Sequence, residues 1–381
     1  MAEGPAPHGD FEVPAIDVSR WAGGGAAERA ALAAAVDAAA RTVGFMQITG
    51  HGIPAAAGRD LADAMDAFFA LPQEEKRTLV APPEINRGYT PPRAEKLSLS
   101  LGVTSPEDLF EAFNVGVDGT GHTGVALPAT HFPANRWPDP RRVPGFREAV
   151  DTWFRHAGAL ARTLTGVFAH ALGLDESFFR PYTDHSVDVL RMNNYALPAG
   201  ETRVDRGRMG MGAHTDYGIV TVLWADQVPG LQILGDAGQW HDVRPAEGAL
   251  LVNLGDALAR WTNDQWRSTL HRVLPPTDAD GRLVRRRSAA YFHDGNHDAV
   301  ISPLPGCVPT GADPLYPPVT IGDHITAKLA GSRALRPHDD AARESARLLA
   351  ATEPATATTP DPGNESATES TSGSRPHSGD R

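Results

Sequence analysis

Six short stretches decide the fold: VDVLRMNNYAL (residues 187–197), GIVTVLWAD (218–226), GLQILGD (230–236), ALLVNLGDAL (249–258), TLHRVLPP (269–276) and SAAYFHD (288–294). They are rich in β-type residues, and Gly, Pro, Asn or Asp breaks the chain between them. Many short strands at close spacing predict a sandwich or barrel. Upstream the period changes. Residues 26–42 carry Leu32 and Val36 one helical turn apart, and residues 55–70 form a second helical stretch that ends at Leu71-Pro72. Residues 145–172 repeat Phe154, Leu160, Leu164, Phe168 and Leu172 at helical spacing. FEVPAIDVS (11–19) reads as a short edge strand with a proline, and GFMQITGHGI (44–53) as a strand entering a turn. A last helix is expected near Asp323–Leu329. The fold class is therefore mainly β with flanking helices.

The ends differ from the body. Residues 337–381 are rich in Ala, Thr, Ser, Pro, Asp and Glu and hold no aromatic residue. Such a segment cannot bury enough surface to offset its ordering entropy. The expected organisation is a disordered 1–10, one domain over 11–335 and a disordered tail over 336–381. Within the domain, 11–185 is mostly helical, 186–300 is the β core, and 301–335 supplies a terminal strand and helix.

Composition removes several classes of function. The 381 residues hold 32 Pro and 38 Gly without a fixed period, which excludes a collagen-like repeat. Lys plus Arg number 35 against 47 Asp plus Glu, a net charge of −12, unsuited to general nucleic-acid or anionic-membrane binding. Cys307 is the single cysteine, so neither an intrachain disulfide nor a thiolate metal cluster can form. The Ala-rich residues 26–40 carry Glu28, Arg29 and Asp37 and start too late for a secretory signal. No uncharged apolar run reaches the roughly 18 residues of a membrane span. A cytoplasmic protein follows as the expectation. Neither nucleotide-binding glycine loop is present, nor is the G-x-S-x-G of serine hydrolases.

Chemistry concentrates in RMGMGAHTDYGIVTVLW (208–224). On a strand, His214 and Asp216 would share a face. His-x-Asp also occurs at His8/Asp10 and His338/Asp340 in expected disorder, so the pair alone says little. His271 lies 57 residues after His214, at the end of another expected strand. Two imidazoles and a carboxylate form a facial triad that leaves three positions open on six-coordinate Fe(II). The pattern alone admits a packed strand histidine at 271 equally well. Downstream, GRLVRRRSAAYFHDG (281–295) puts Arg286 and Ser288 on one face. A guanidinium beside a hydroxyl can hold a carboxylate.

Together these motifs resemble the isopenicillin N synthase-like family of 2-oxoglutarate/Fe(II)-dependent oxygenases. The resemblance runs from Val13 to Ser332 through GFMQITGHGI, FFALPQEEK, RGYTP, DLFEAFNVG, LRMNNY, GAHTDYGIVTVLWADQVPGLQI, ALLVNLGDAL, STLHRVLPP, RRRSAAYF and YPPVTIGDHITAKL. It implies a double-stranded β-helix, or jelly roll, beside an N-terminal α/β region. It also implies an oxidoreductase, a dioxygenase using Fe(II), O₂ and 2-oxoglutarate as co-substrate, with ascorbate as reductant in vitro. His214, Asp216 and His271 match the iron ligands. Arg286 and Ser288 match the grip on the distal carboxylate of 2-oxoglutarate, and Asn193 and Tyr195 match further co-substrate positions. The stretch TDADGRLV (277–284) lengthens the gap before Arg286 and leaves Arg286 and Arg287 both open as the anchor.

The implied activity is hydroxylation, desaturation or cyclisation of a small molecule in secondary metabolism such as antibiotic biosynthesis, with release of succinate and CO₂. Arg87, Tyr89, Phe113, Tyr217 and Phe292 are candidate substrate contacts. A monomer or weak oligomer is expected, with no nucleic-acid or membrane partner. Alternatives are a 2-oxoglutarate-independent oxidase of the isopenicillin N synthase type, an ethylene- and succinate-forming enzyme, and a non-catalytic binding protein on the same scaffold.

Overall fold

A computed structural model of the chain describes residues 11–101, 107–119, 125, 127–196, 209–236, 238–278 and 282–333. The termini expected to be disordered, 1–10 and 336–381, lie outside the described residues, as do residues 279–281 of the long hairpin loop.

In chain order the strands are β1 (Ala15–Asp17), β2 (Phe45–Thr49), β3 (Gly88–Thr90), β4 (Glu111–Gly116), β5 (Val189–Tyr195), β6 (Met211–His214), β7 (Val220–Ala225), β8 (Leu231–Leu234), β9 (Trp240–Asp242), β10 (Leu250–Leu254), β11 (His271–Val273), β12 (Arg286–His293), β13 (Val300–Ile301) and β14 (Val319–Thr320). The helices are α1 (Ser19–Gly23), α2 (Ala26–Thr42), α3 (Ala55–Phe69), α4 (Gln73–Arg77), α5 (Phe146–Ala171), α6 (Asp256–Trp261) and α7 (Ile321–Arg333). An eight-stranded sheet runs β1-β2-β10-β7-β12-β5-β4-β3, and a four-stranded sheet runs β6-β11-β8-β9. The architecture is a jelly roll with flanking helices. The N-terminal region is less purely helical than its sequence suggests, because it donates β1 to β4 to the large sheet. Strands β1 and β2 fall within the stretches read as strands, whereas β3 is only three residues long and β4 is buried at every position, so neither shows an alternation.

Period-two alternation sorts the large sheet into two faces. Along β5, Leu190 and Met192 join the helix-side core, while Arg191, Asn193 and Tyr195 face a cavity. On β12, Ala289 and Tyr291 pack towards the helices, and Arg286, Ser288, Ala290 and Phe292 line the cavity. Strand β10 repeats the rule with Val252 against Asn253. The helix-side core is closed by α2, α3 and α5. Helix α5 brings Val150, Trp153, Ala157, Leu160, Leu164 and Phe168 down one stripe, the three-four spacing of a buried face. Each large apolar side chain buried there contributes about 1.5–3 kcal/mol. A second core of Phe45, Tyr195, Met211, Ile233 and Val273 sits at the cavity side, between the sheets.

Candidate active site

The cavity lies between the sheets and is lined by both. His214 ends β6, and His271 opens β11; the two are direct cross-strand partners, with ring centroids 4.3 Å apart. Antiparallel pairing thus closes the gap of 57 residues in sequence. Asp216 does not lie on the strand as expected. β6 stops at His214, and Asp216 belongs to the turn that follows. A backbone-on-backbone approach holds that turn: a Cβ on Gly255 would stand 2.1 Å from the Gly218 carbonyl oxygen, so a side chain there would displace the turn. The Asp256 amide also donates to the Asp216 carbonyl at 2.8 Å.

Hydrogen bonds aim all three groups. The His214 Nδ1 lies 2.7 Å from the Gly212 carbonyl, and the His271 Nδ1 lies 3.1 Å from that of Thr269. With protons on both Nδ1 atoms, both Nε2 lone pairs are free for a metal. Asp216 Oδ2 accepts from Thr221 Oγ1 at 2.5 Å and Asn253 Nδ2 at 2.7 Å. Its Oδ1 faces the imidazoles, 3.9 Å from His214 Nε2 and 3.7 Å from His271 Nε2. One donor atom from each residue lies within 4.8 Å of the others. Burial and the neighbouring His271 push the His214 imidazole down to about 4, against the pull of Asp216. It is neutral at pH 7, the form that binds metal. Two imidazole nitrogens, one hard oxygen and an open side towards the cavity suit Fe(II).

The four residues matched to the co-substrate form two cross-strand pairs between β12 and β5, Arg286 with Tyr195 and Ser288 with Asn193. Arg286 is 2% exposed, and its Nε and Nη1 have no hydrogen-bond partner among the described residues. A buried guanidinium left unpaired is costly, and a carboxylate arriving in the cavity would relieve that cost. The guanidinium lies 5.1 Å from the Tyr195 ring centroid. Arg287 points the other way, pairing with Asp66 at 2.7 Å and Asp226 at 3.4 Å. Of the two arginines, only Arg286 lines the cavity.

Among the candidate substrate contacts, Tyr217 and Phe292 line this cavity. Tyr89 and Phe113 do not. They pack on Phe68 in the helix-side core, and the Tyr89 hydroxyl reaches Glu111 at 2.5 Å. Arg87 lines a neighbouring cavity and donates to the carbonyls of Asn86 and Val117, each at 2.8 Å. The two cavities share Asn86, Val189, Asp294, Ile325 and Leu329.

Several polar residues of the wall carry no motif. Arg191 Nη2 donates to Glu95 Oε2 at 2.7 Å, and both residues line the cavity. Asp294 also lines it, its carboxyl pushed well above the usual range by burial and by Asp188 and Asp216. Helix α7 closes one side with Ile325, Leu329 and Ser332. It is pinned by Lys328, whose Nζ lies 2.9 Å from Asp256 Oδ2, and Thr215 of the metal turn donates to the same oxygen at 3.1 Å. The alternating patterns of β5 and β12 mark Arg191 and Asp294 as inward; the position of Glu95 follows from long-range packing only.

Comparison with known proteins now defines the class. The 2OG-Fe(II) oxygenase superfamily matches residues 187–295, and the family described as non-haem dioxygenase in morphine synthesis N-terminal matches residues 13–140. The chain belongs to the 2-oxoglutarate/Fe(II)-dependent oxygenases, of the isopenicillin N synthase-like type. It is similar to a 2-oxoglutarate-Fe(II) type oxidoreductase of Emericella nidulans, 37% identical over 82% of this chain and 88% of the relative. It is also similar to the validamycin A dioxygenase of Streptomyces hygroscopicus subsp. limoneus, 34% identical over 83% of this chain and 85% of the relative. Among solved structures, a full-length Neurospora crassa protein in complex with alpha-KG and 5-formyluracil superposes with a TM-score of 0.72 at 28% identity, covering 87% of this chain and 99% of that one. The protein is therefore an oxidoreductase that uses Fe(II), O₂ and 2-oxoglutarate. Among the described residues no helix is long and apolar enough to cross a membrane.

Proposed function

We propose that the chain oxidises a compact, hydrogen-bonding small molecule, with His214, Asp216 and His271 holding Fe(II) and Arg286 anchoring 2-oxoglutarate. The observation that carries this reading is the unpaired, buried Arg286 guanidinium in the same cavity as three convergent metal donors. When bound, the iron and its keto acid supply an oxidant for an unactivated C–H bond, with release of succinate and CO₂. The protein's residues do the positioning. The Gly212 and Thr269 carbonyls fix the imidazole tautomers, and Thr221 and Asn253 fix the carboxylate. Arg286 and Ser288 take the distal carboxylate of the keto acid, with Asn193 and Tyr195 flanking it. Helix α7 and Phe45 restrict water at the cavity.

Substrate recognition falls to Tyr217, Phe292, Asn86, Arg191 and Asp294, which line the cavity. Their mixture of amide, guanidinium, acid and aromatic ring favours a polar substrate with several donors and acceptors. Arg87 guards the adjoining cavity; Tyr89 and Phe113 shape the scaffold instead. Validamycin A dioxygenase among the relatives supports a place in secondary metabolism, including antibiotic biosynthesis. Residues 11–335 act as one domain, since strands from both halves of the chain share the large sheet. The working state is a cytoplasmic monomer or weak oligomer with no nucleic-acid partner.

The test is a small-molecule screen read by succinate release with Fe(II), ascorbate and 2-oxoglutarate. The expected result is substrate-stimulated succinate at one equivalent per oxidised product. Product without succinate would instead favour the 2-oxoglutarate-independent oxidase, and headspace ethylene the fragmenting enzyme.

A further inference from the structure

A second group of metal-ligating side chains stands outside the cavity. His185 precedes β5, while His297 and Asp298 lie between β12 and β13, and one donor atom from each falls within 4.8 Å of the others. The backbone around them is well tied. The His185 amide donates to Asn296 Oδ1 at 2.8 Å, and Val187 N donates to the Gly295 carbonyl at 2.9 Å. Asn296 Nδ2 donates to Asp184 Oδ1 at 2.8 Å.

The donor atoms face one another. His185 Nδ1 lies 2.5 Å from Asp184 Oδ1, the carboxylate–imidazole pairing that orients a ligating histidine. Its Nε2 then points at Asp298 Oδ1, 2.8 Å away. From the other side His297 Nδ1 approaches the same oxygen at 3.9 Å. That nitrogen is buried and has no hydrogen-bond partner among the described residues. A plain ion pair between His185 and its two carboxylates accounts for His185 but leaves His297 unexplained. His131 packs on His297 with ring centroids 5.2 Å apart.

We propose that His185 Nε2, His297 Nδ1 and Asp298 Oδ1 form a second, non-catalytic site for a divalent transition ion of the Zn(II) class, with Asp184 orienting His185. Two imidazoles and one carboxylate suit Zn(II), Co(II) or Ni(II), whereas Ca(II) and Mg(II) take oxygen-rich sets. Ligand atoms around tetrahedral zinc stand about 3.3 Å apart at bond lengths near 2.0–2.1 Å. The Asp298 side chain is 57% exposed, and a turn of its carboxylate would move Oδ1 away from His185 Nε2, now 2.8 Å distant, and towards His297 Nδ1, now 3.9 Å distant. The ion would staple the loop after β12 to the segment entering β5. It would also steady the base of α7, because the Gly322 amide donates to the His297 carbonyl at 2.8 Å.

The test is titration of the full-length, metal-stripped protein with Co(II), followed by visible absorption and calorimetry. The wild type should bind two equivalents. His214→Ala, which damages the cavity triad, should keep one equivalent with a tetrahedral spectrum. Asp298→Asn, on an exposed side chain, and His297→Gln should each lose that equivalent while keeping Fe(II)-dependent turnover. In the His214→Ala background Zn(II) should raise Tm by at least about 3 °C, and Asp298→Asn should abolish the rise. A single equivalent in the wild type that vanishes in His214→Ala would overturn the proposal. So would a second equivalent that survives both Asp298→Asn and His297→Gln. Neither result would bear on the oxygenase reading, since the site shares no residue with it.

Discussion

The two faces of the large sheet are built from the same strands and differ in almost everything else. Towards the helices, β5, β7, β10 and β12 present Leu190, Val222, Val252 and Tyr291 to a dry core. Towards the cavity the alternate residues are Arg191, Asn193, Thr221, Asn253, Arg286 and Ser288. One face supplies cohesion. The other holds polar groups that are only partly satisfied by the protein, with Arg286 the extreme case. The lesson is a division of labour at single-residue resolution. Substitutions on the first face should act on stability, and those on the second on chemistry.

The largest expected effect is on the metal donors. His214→Ala or Asp216→Ala should cut succinate formation by about 10³-fold or more, with the circular dichroism spectrum and Tm of the apoprotein preserved. On the helix face, Leu190→Ala should cost about 2–5 kcal/mol in denaturant unfolding, with kcat/KM per folded molecule unchanged. Arg286→Ala should raise the KM for 2-oxoglutarate by about 10- to 150-fold, as expected for loss of a charge-assisted bond worth about 1.5–3 kcal/mol. Its Tm should hold or rise, because an unpaired buried charge is removed. Arg287→Ala, one position along the strand, should leave that KM within about twofold. A matching KM change in both arginine variants would erase the distinction between the faces.

The smallest effect concerns pH. Asp108 joins the segment at Leu97 to β6, accepting from the amides of Leu97 at 2.9 Å and Gly212 at 2.8 Å. Burial pushes its carboxyl up to about 7 from an ordinary 3.8. Its protonated form is thus favoured on folding, so its contribution is full below the ordinary value and is lost as pH rises through about 7. Between pH 5 and pH 8 the wild-type Tm should fall by about 2–4 °C more than that of Asp108→Asn. Parallel Tm curves would remove Asp108 from the account.

Much of this division is legible in the sequence, and the exceptions have physical causes. The helices α2, α3 and α5 follow from apolar spacing almost to the residue. The order of His214, Asp216, His271, Arg286 and Ser288 points to the site before any fold is known. Strand alternation does not place Asp216: it leaves the strand, and contacts from β7 and β10 aim its carboxylate. The choice between Arg286 and Arg287 depends on Asp66, 221 residues away from Arg287 on α3, and on Asp226. Tyr89 and Phe113 read as possible contacts because an aromatic residue looks alike in a core and in a pocket. The roles of Glu95 and Lys328 come from pairings across the fold, with Arg191 and Asp256, that no local pattern records.

In the proposed complex, His214, Asp216 and His271 would hold the iron that a keto acid chelates, while Arg286 would hold the far end of that acid. Anaerobic titration of the Fe(II)-loaded protein with 2-oxoglutarate reads this through the visible charge-transfer absorption of the chelate. The wild type should develop the band saturably, Asp216→Ala should show none, and Arg286→Ala should need at least about tenfold more 2-oxoglutarate. A band of wild-type strength in Asp216→Ala, or an unshifted titration in Arg286→Ala, would contradict it.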